Sequence, residues 1–219
     1  MIDFDEMIDN YIYRESRPPE IGRYWPSMIG ACIRKVWYTY KHPKQIDPEL
    51  QKIFEMGNIM HNFVVEVLKS EKNPHVTLVD YERPLKIEKK DYTISGRIDD
   101  IIMLKRDGKL ILIEVKSHKN VDFVKEPARS HKMQLMFYMH VSGIHNGILL
   151  YIDKNNMKTK SFEINYKKEE AKKVLKRFYL LDKYLKNDEL PVAEAKYEKD
   201  IMWMCKFCEY KDKCKKDEK

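Results

Sequence analysis

The sequence predicts an α/β fold with helices before and after a β-rich middle. Apolar residues recur at helical spacing before residue 75 and after residue 166, whereas the stretch between consists mainly of short β-rich runs. The length of 219 residues is close to that of one domain. We therefore expect one compact body in three segments: helices over residues 1–75, a sheet core over 76–165, and a basic helix with a cysteine cluster over 166–219.

The charge balance favours a polyanionic partner. The chain has 42 Lys and Arg against 35 Asp and Glu, which gives a net charge of +7 and a pI near 9.0. Such an excess is typical of proteins that bind nucleic acid or an anionic membrane surface. A soluble protein with an unspecialised basic surface is the alternative.

The N-terminal residues and the apolar runs predict a cytoplasmic protein that does not enter a membrane. The stretch from Met1 to Glu6 is acidic where a signal peptide would be basic. No apolar run approaches the roughly 20 residues that span a bilayer. The four cysteines are then expected to be metal ligands or reduced core residues rather than a disulfide framework.

One helix is predicted to run from Ser27, a suitable N-cap, to about Tyr40. It carries Cys32, and His42-Pro43 ends it.

A second helix is predicted to begin near Pro48 and to end before Asn73-Pro74. Gly57 and His61 lie one turn apart on it. It carries a stripe of apolar residues at helical spacing: Ile53, Met56, Met60, Phe63, Val64 and Val67.

Strands dominate the middle of the chain, and two more helices follow. The predicted strands are Val76 to Val79, Leu85 to Ile87, Tyr92 to Leu104, Leu110 to Ser117, Gly147 to Ile152, and Thr159 to Ile164. The predicted helices run from about Ser130 to Ser142 and from Lys167 to Leu185. The last helix is strongly basic, which is typical either of a solvated face or of a wall along a nucleic-acid path.

The run from Leu110 to Lys116 places a carboxylate and an amine in an otherwise apolar strand. Side chains alternate across a strand, so Glu114 and Lys116 share one face while Val115 takes the other. Burying both charges is costly unless they are paired or bind a metal ion.

The hairpin turn before this strand brings Asp99 to the same face. If the two loop residues are Arg106 and Asp107, Asp99 falls directly opposite Glu114. If the loop lies one residue later, Asp99 falls opposite Lys116. Both registers place the three side chains within reach of a common ion.

Two carboxylates that share a site repel each other unless a cation lies between them, and Mg²⁺ or Mn²⁺ prefers carboxylate oxygens. Such an ion assists hydrolysis of a phosphodiester, and Lys116 beside it would stabilise the transition state. Asp99 and Glu114 are therefore candidate metal ligands. The alternative is a strand-end ion pair of Glu114 with Lys116 and a surface turn that begins at Asp99 and Asp100.

Four short motifs resemble those of the PD-(D/E)xK nuclease superfamily. Gly96-Arg97-Ile98-Asp99 and Glu114-Val115-Lys116 are similar to its Gly-x-x-Asp and Glu-x-Lys elements. Gln134-Leu135-Met136-Phe137-Tyr138 resembles the Gln-x-x-x-Tyr motif of the RecB-like branch, and Gly57-Asn58-Ile59-Met60-His61 resembles the helix histidine of that branch. The resemblance implies a restriction-endonuclease-like core, in which a mixed sheet is flanked by helices, and a helical cap formed by the N- and C-terminal helices.

The resemblance also implies a ligand set for the metal ion. Asp99 and Glu114 would bind Mg²⁺ or Mn²⁺ with help from His61 and the carbonyl of Val115. Gly57, one turn before His61, would permit a close approach of the neighbouring strand.

Lys116, Gln134 and Tyr138 complete the implied catalytic set. Lys116 would assist the attack on the phosphate. Gln134 and Tyr138 are four residues apart, so they project from one face of a helix and would position Lys116 and the DNA.

The cysteines form a cluster of three near the C-terminus, Cys205-x-x-Cys208-x₅-Cys214, with Cys32 far upstream. Four thiolates fit either a tetrahedral Zn²⁺ site or an iron–sulfur cube, and the spacing does not decide between them. One N-terminal and three C-terminal cysteines around such a core resemble the CRISPR-associated RecB-like exonucleases, with similar clasps in AddB-type repair nucleases. The resemblance implies a structural [4Fe–4S] cluster, with Zn²⁺ as the alternative.

By this resemblance the protein would be a deoxyribonuclease, an exonuclease on single-stranded ends that trims DNA fragments before they enter a CRISPR array, alongside an integrase complex. An AddB-like repair nuclease or a virus-encoded nuclease would share every motif. A DNA-end-binding subunit with little turnover of its own is the alternative from another class, and an RNA-directed nuclease is a further one.

Overall fold

The computed structural model describes residues 2–217, which form a six-stranded sheet with helices on both faces. In chain order the elements are α1 (Phe4–Ile12), β1 (Arg23–Tyr24), α2 (Pro26–Ile29), α3 (Ile33–Lys41), α4 (Pro48–Lys69), β2 (Val76–Glu88), β3 (Thr93–Leu104), β4 (Leu110–His118), α5 (Arg129–Ser142), β5 (Asn146–Asp153), β6 (Thr159–Asn165), α6 (Lys168–Lys186) and α7 (Lys211–Lys216). Short 3₁₀ helices cover Val121–Phe123, Glu194–Lys196 and Met202–Phe207. No helix within the described range is both long enough and apolar enough to cross a bilayer.

Strand β3 pairs with three other strands. Along one edge, β2 pairs with it antiparallel from Thr93 to Leu104. On the opposite edge, β4 pairs antiparallel with residues 100–103, and β1 pairs parallel with Thr93 and Ile94. Strand β5 continues the sheet parallel to β4, and β6 follows antiparallel to β5. Within the described part of the chain, no strand lies beside residues 95–99 on the second edge.

Helices cover both faces of β4. On one face, Met60 and Val64 of α4 belong to the same apolar cluster as Ile113 and Val115. On the other face, α5 packs against β4 and β5, and α6 packs on α5. Burial of a large apolar side chain contributes roughly 1.5–3 kcal/mol. The two-sided cover therefore explains why β4 is almost continuously apolar.

The first predicted helix is in fact two helices. The chain does not run as one helix from Ser27 to Tyr40 but forms α2 and α3 with a break at residues 30–32. Cys32 is therefore the N-cap residue of α3 and does not lie on a helix. Ser27 lies in the first turn of α2, whose N-cap residue is Trp25.

An ion pair at the junction holds this break open. Arg177 on α6 donates hydrogen bonds of 2.9 Å to the carbonyls of Ile29 and Ala31. The same guanidinium pairs with Glu194, which accepts a 3.0 Å hydrogen bond from the N–H of Ile33. These bonds replace those of a continuous helix. A helical sequence pattern does not reveal them, because the partners lie far away in the sequence.

Most other predicted elements are confirmed near their predicted ends, as in α4, β3, β4, α5, β5, β6 and α6. The two runs predicted before residue 88 join into the single strand β2. This strand has a register shift between Leu78 and Asp80, and Glu82 takes a left-handed conformation with φ of 49°. Helix α1 and the short strand β1 were not predicted.

The apolar stripe of α4 is only partly buried. Met60 and Val64 lie in the core. Four other members of the stripe are each more than a third exposed: Ile53, Met56, Phe63 and Val67. The helix therefore has a second apolar face that the described residues leave open.

Gly30→Ala is expected to destabilise the protein. An added Cβ would lie 2.3 Å from the Cα of Ser130 on α5, so one backbone must move. Overpacking of this kind typically costs about 1–3 kcal/mol, and backbone contact puts this case at the upper end. The matched control is Gly57→Ala on α4, where the added Cβ meets only Ser117 Oγ at 3.6 Å.

Because alanine is a better helix former than glycine by about 1 kcal/mol, Gly57→Ala should be neutral or stabilising. Urea unfolding measures both effects. Equal stabilities of the two variants would contradict the tight contact of α2 with α5.

Candidate active site

The candidate site lies where β3 and β4 separate. The ladder between them ends at the pair Asp100 and Ile113, and its register places Asp99 opposite Glu114. This is the first of the two predicted registers, although the loop spans four residues, 105–108, instead of two. Beyond the last pair, Asp99 Oδ2 accepts a 2.8 Å hydrogen bond from the N–H of Val115. A side chain thus takes the place of the next backbone bond.

The alternation of β3 changes phase at the same point. Ile98 and Ile101 belong to the same apolar cluster although they are three residues apart. A regular strand would place them on opposite faces. Asp99 and Asp100 occupy the irregular step, so both carboxylates turn towards the interior.

Glu114 is the most constrained group of the site. It is 1% exposed, and neither carboxylate oxygen has a hydrogen-bond partner among the described residues. Lys116 Nζ lies 2.6 Å from Oε1 in a close ion pair. Burial, followed by the charge of Asp99, raises the pKa of Glu114 to about 8. Burial also raises the pKa of Asp99.

Lys116 is held by a short chain of side chains from α5. Its Nζ donates to Gln134 Oε1 at 3.2 Å, and Gln134 Nε2 donates to the Tyr138 hydroxyl at 3.4 Å. The two α5 residues therefore face the site, as their spacing predicts. Burial works to lower the pKa of Lys116, but Glu114 and Asp99 outweigh it and raise the pKa. The ammonium group is thus kept charged.

Gly96 makes room for this arrangement at the open edge of β3. The Tyr138 hydroxyl accepts a 3.4 Å hydrogen bond from the N–H of Arg97, a backbone donor on that edge. A Cβ on Gly96 would lie 3.0 Å from the hydroxyl oxygen and 3.1 Å from Pro26 Cγ. Only glycine fits there without a shift of Tyr138 or Pro26.

His61 contacts Asp100, a carboxylate that was not predicted to belong to the site. Its Nε2 lies 3.5 Å from Asp100 Oδ2, and its Nδ1 lies 3.9 Å from Glu82 Oε1. Asp100 is 0% exposed, and neither of its carboxylate oxygens has a hydrogen bond within the described residues. Burial opposes the charge on His61, but Asp100 and Asp99 outweigh it and raise the pKa.

The expectation for Gly57 was wrong. Ser117 Oγ, at 3.6 Å from a built Cβ, is an ordinary contact, so the helix does not need glycine there to approach β4. The usable signal for Asp100 was the doubled aspartate itself, since the side chains of both adjacent residues point into the protein when both faces of a strand are covered.

The site has the chemistry of a cation site. Five buried polar atoms have no hydrogen-bond partner within residues 2–217: His61 Nε2, both carboxylate oxygens of Asp100 and both of Glu114. Buried groups of this kind are rarely left unsatisfied. Carboxylate oxygens with one imidazole nitrogen are ligands that Mg²⁺ and Mn²⁺ accept. As they stand, however, no three or more His, Cys, Asp or Glu side chains of the described residues are grouped closely enough to hold an ion.

The four cysteines line one cavity of about 240 Å³ at the break between α2 and α3. Cys32 comes from that break, and Cys205, Cys208 and Cys214 come from the C-terminal segment. Burial, followed by the nearby Cys32 thiol, raises the pKa of Cys205. Arg34 Nη1 lies 3.6 Å from Cys214 Sγ. The fold thus gathers all four thiols, although they are not at the spacing of a formed metal centre.

The basic helix α6 does not point all its charges outward. Arg177 is used by the ion pair at the α2–α3 break, and α6 packs on α5. Lys172 and Lys173 form exposed pairs with Glu169 and Glu170 on the same helix.

Comparisons with known proteins agree on one family. The model of the PD-(D/E)XK nuclease superfamily matches residues 12–215. The CRISPR-associated exonuclease Cas4 of Saccharolobus solfataricus is 31% identical over 181 residues, which cover 82% of this chain and 81% of that protein.

Solved structures show the same fold. The crystal structure of SSO0001 has a TM-score of 0.59 at 23% identity and covers 94% of this chain and 90% of its own. The alkaline exonuclease of Laribacter hongkongensis has a TM-score of 0.54 at 11% identity, with coverage of 77% and 90%.

The metal-free protein should lose stability as the pH rises from about 4.5 to about 8. In this window the folded protein holds a proton on Glu114 that the unfolded chain has lost, because the folded pKa is about 8 against 4.5. The unfolded state therefore binds fewer protons, and stability falls with pH. Thermal unfolding in EDTA should show a fall of roughly 5–10 °C in the midpoint.

Glu114→Gln removes the titration, so its midpoint should change less across this window. Glu71→Gln, at an exposed carboxylate after α4, is the matched control and should behave as the original chain does. Parallel profiles for all three proteins would show that Glu114 ionises normally.

Proposed function

Because the chain belongs to the PD-(D/E)XK nuclease superfamily, and within it to the family of CRISPR-associated exonucleases, we propose that it is a metal-dependent exonuclease that hydrolyses DNA from single-stranded ends. The observation that carries the proposal is Glu114, a carboxylate that is 1% exposed and lies beside Asp99 and the charged Lys116. A module that only binds DNA has no need of a buried carboxylate that is costly to keep in the protein, whereas a metal-dependent hydrolase uses such a carboxylate to hold its ion.

We assign the metal ion, Mg²⁺ or Mn²⁺, to Asp99, Glu114, His61 and the carbonyl oxygen of Val115. When bound, such an ion neutralises charge on the phosphodiester and favours ionisation of water. Asp100 Oδ2 lies 3.5 Å from His61 Nε2, so this buried carboxylate adds negative charge beside the proposed ion.

Lys116 supplies positive charge where negative charge accumulates on the phosphate during hydrolysis. Its contacts with Glu114 and Gln134 hold the ammonium in one position, so little reorganisation is needed in the transition state. Tyr138 holds Gln134 and binds the open edge of β3. It thereby links the position of Lys116 to the strand that carries Asp99.

The substrate is proposed to be DNA, and the role the trimming of fragments for insertion into a CRISPR array alongside an integrase complex. The net charge of +7 supports a nucleic-acid substrate. The relative from Saccharolobus solfataricus supports the CRISPR role through its name. Cytoplasmic localisation follows from such a role.

The cysteine cavity is proposed to hold a [4Fe–4S] cluster that fastens the C-terminal segment to the α2–α3 break. Four thiols from two distant parts of the chain line the cavity. Arg34, Lys35, Lys196 and Lys211 also line it, and their positive charges would offset the negative charge of four thiolates. A Zn²⁺ ion is the alternative, since four cysteines also suit it.

Glu114→Gln is expected to lower the rate at which end-labelled single-stranded DNA is cleaved in Mn²⁺ by at least about 100-fold, because one metal ligand and its charge are lost. Lys116→Met should have a similar effect. Glu71→Gln is the matched control and should cleave normally, and EDTA should stop every active protein.

Two outcomes would contradict the proposal. If the original chain binds this DNA with Mn²⁺ but does not cut it, the protein is an end-binding subunit. Faster cleavage of a labelled RNA of the same sequence would move the substrate to RNA.

Protein purified without oxygen is expected to be brown and to absorb broadly near roughly 400 nm, as iron–sulfur centres do. Cys208→Ser should lose the colour, because only three thiolates remain. Met202→Leu, which changes another residue that lines the cavity, should keep it. A colourless protein that contains one zinc per chain would show that Zn²⁺, and not an iron–sulfur cluster, occupies the cavity.

A further inference from the structure

His131 lies next to the active site and belongs to none of the motifs. It is in the first turn of α5, three residues before Gln134 and seven before Tyr138. Residues at this spacing share one face of a helix. His131 therefore lies on the face of α5 that carries the partners of Lys116.

The hydrogen bonds of the Tyr151 hydroxyl determine which ring nitrogen of His131 carries the proton. Tyr151 is the partner of Lys116 in the β4–β5 register. Its hydroxyl oxygen accepts a 3.1 Å hydrogen bond from the N–H of Ala128. The hydroxyl lies 2.8 Å from His131 Nδ1, which is the one acceptor found for its proton among the described residues. Tyr151 therefore donates to Nδ1, and the ring proton sits on Nε2.

The imidazole stays neutral under ordinary conditions. Burial, with the nearby charges of Lys116 and His118, lowers the pKa of His131 to about 3. With Nδ1 occupied and Nε2 protonated, the ring has no free lone pair, so it is not a general base. What remains is an N–H donor at Nε2, for which no acceptor is found within residues 2–217.

We propose that His131 contacts the substrate, and that its Nε2–H donates to a phosphate oxygen of the bound nucleic-acid strand beside Lys116. The inference rests on the nuclease function proposed above. A phosphate oxygen carries charge and only accepts hydrogen bonds, so it suits a fixed donor. A neutral donor also avoids the repulsion that a second cation would suffer next to Lys116.

Substitutions of His131 separate this role from a structural one. His131→Asn keeps a polar group near Nδ1 but leaves nothing at Nε2, and should lower kcat/KM on single-stranded DNA by about 10- to 100-fold, as for a lost hydrogen bond to a charged group. His131→Gln restores an N–H near Nε2 and should recover much of that loss. Tyr151→Phe frees the ring to adopt either tautomer and should lower kcat/KM by a smaller factor.

The same helix offers a matched control. His140 is exposed, and its Nδ1 lies 2.8 Å from the hydroxyl of Tyr166, so it repeats the tyrosine contact away from the site. His140→Asn should leave kcat/KM within about twofold. The proposal fails if folded His131→Asn also stays within twofold, or if His131→Gln is as impaired as His131→Asn.

An experiment on the unsubstituted protein avoids any folding defect. Nitrogen-15 NMR of the labelled histidines should show His131 protonated at Nε2. Addition of a phosphorothioate-linked oligothymidylate with Ca²⁺ should shift this N–H resonance but not the resonances of His140. An oligonucleotide that binds without shifting it would overturn the proposal. If the shift occurs in a protein that never cleaves DNA, the proposed function fails while the contact stands.

Discussion

The burial of β4 on both faces is the constraint on which the rest of the structure depends. Helices α4 and α5 cover it, so Glu114 is almost completely shielded from solvent and a negative charge on it must be balanced by neighbouring groups. Neighbouring parts of the structure provide this balance. Strand β3 leaves the ladder at Asp99, Lys116 supplies a positive charge, and α5 brings in a chain of polar groups that holds the ammonium. The open edge of β3, which would weaken an ordinary sheet, is what gives these groups room.

Much of this site was predictable because its parts are local. The hairpin between β3 and β4 has a short loop, and a short loop limits the register to a few choices, one of which is observed. Gln134 and Tyr138 share a face because helical spacing fixes their directions. The family resemblance predicted that these parts belong to one site. It also predicted the fold class, since the spacing of the motifs reflects the sheet that connects them.

The remaining features depend on partners that are far apart in the sequence. The break between α2 and α3 is stabilised by Arg177 and Glu194, which no local pattern connects to Cys32. Asp100 turns inward because β3 changes phase, a change that strand alternation alone does not reveal. His131 lies among apolar and basic residues that mark no site, and its proposed role depends on the contact with Tyr151 on a neighbouring strand. In each case a tertiary contact overrides the local preference.

The cysteine cavity also limits when its contents can arrive. One wall comes from Cys32, whereas the other three thiols are made at least 173 residues later. Until residues through Cys214 have emerged, Cys32 has no partners, and its neighbourhood lacks Arg177 and Glu194 as well. Any metal centre is therefore loaded only after this later region has been translated. A shortage of metal would leave behind finished chains with an unfastened C-terminal segment, and proteases would find that segment first.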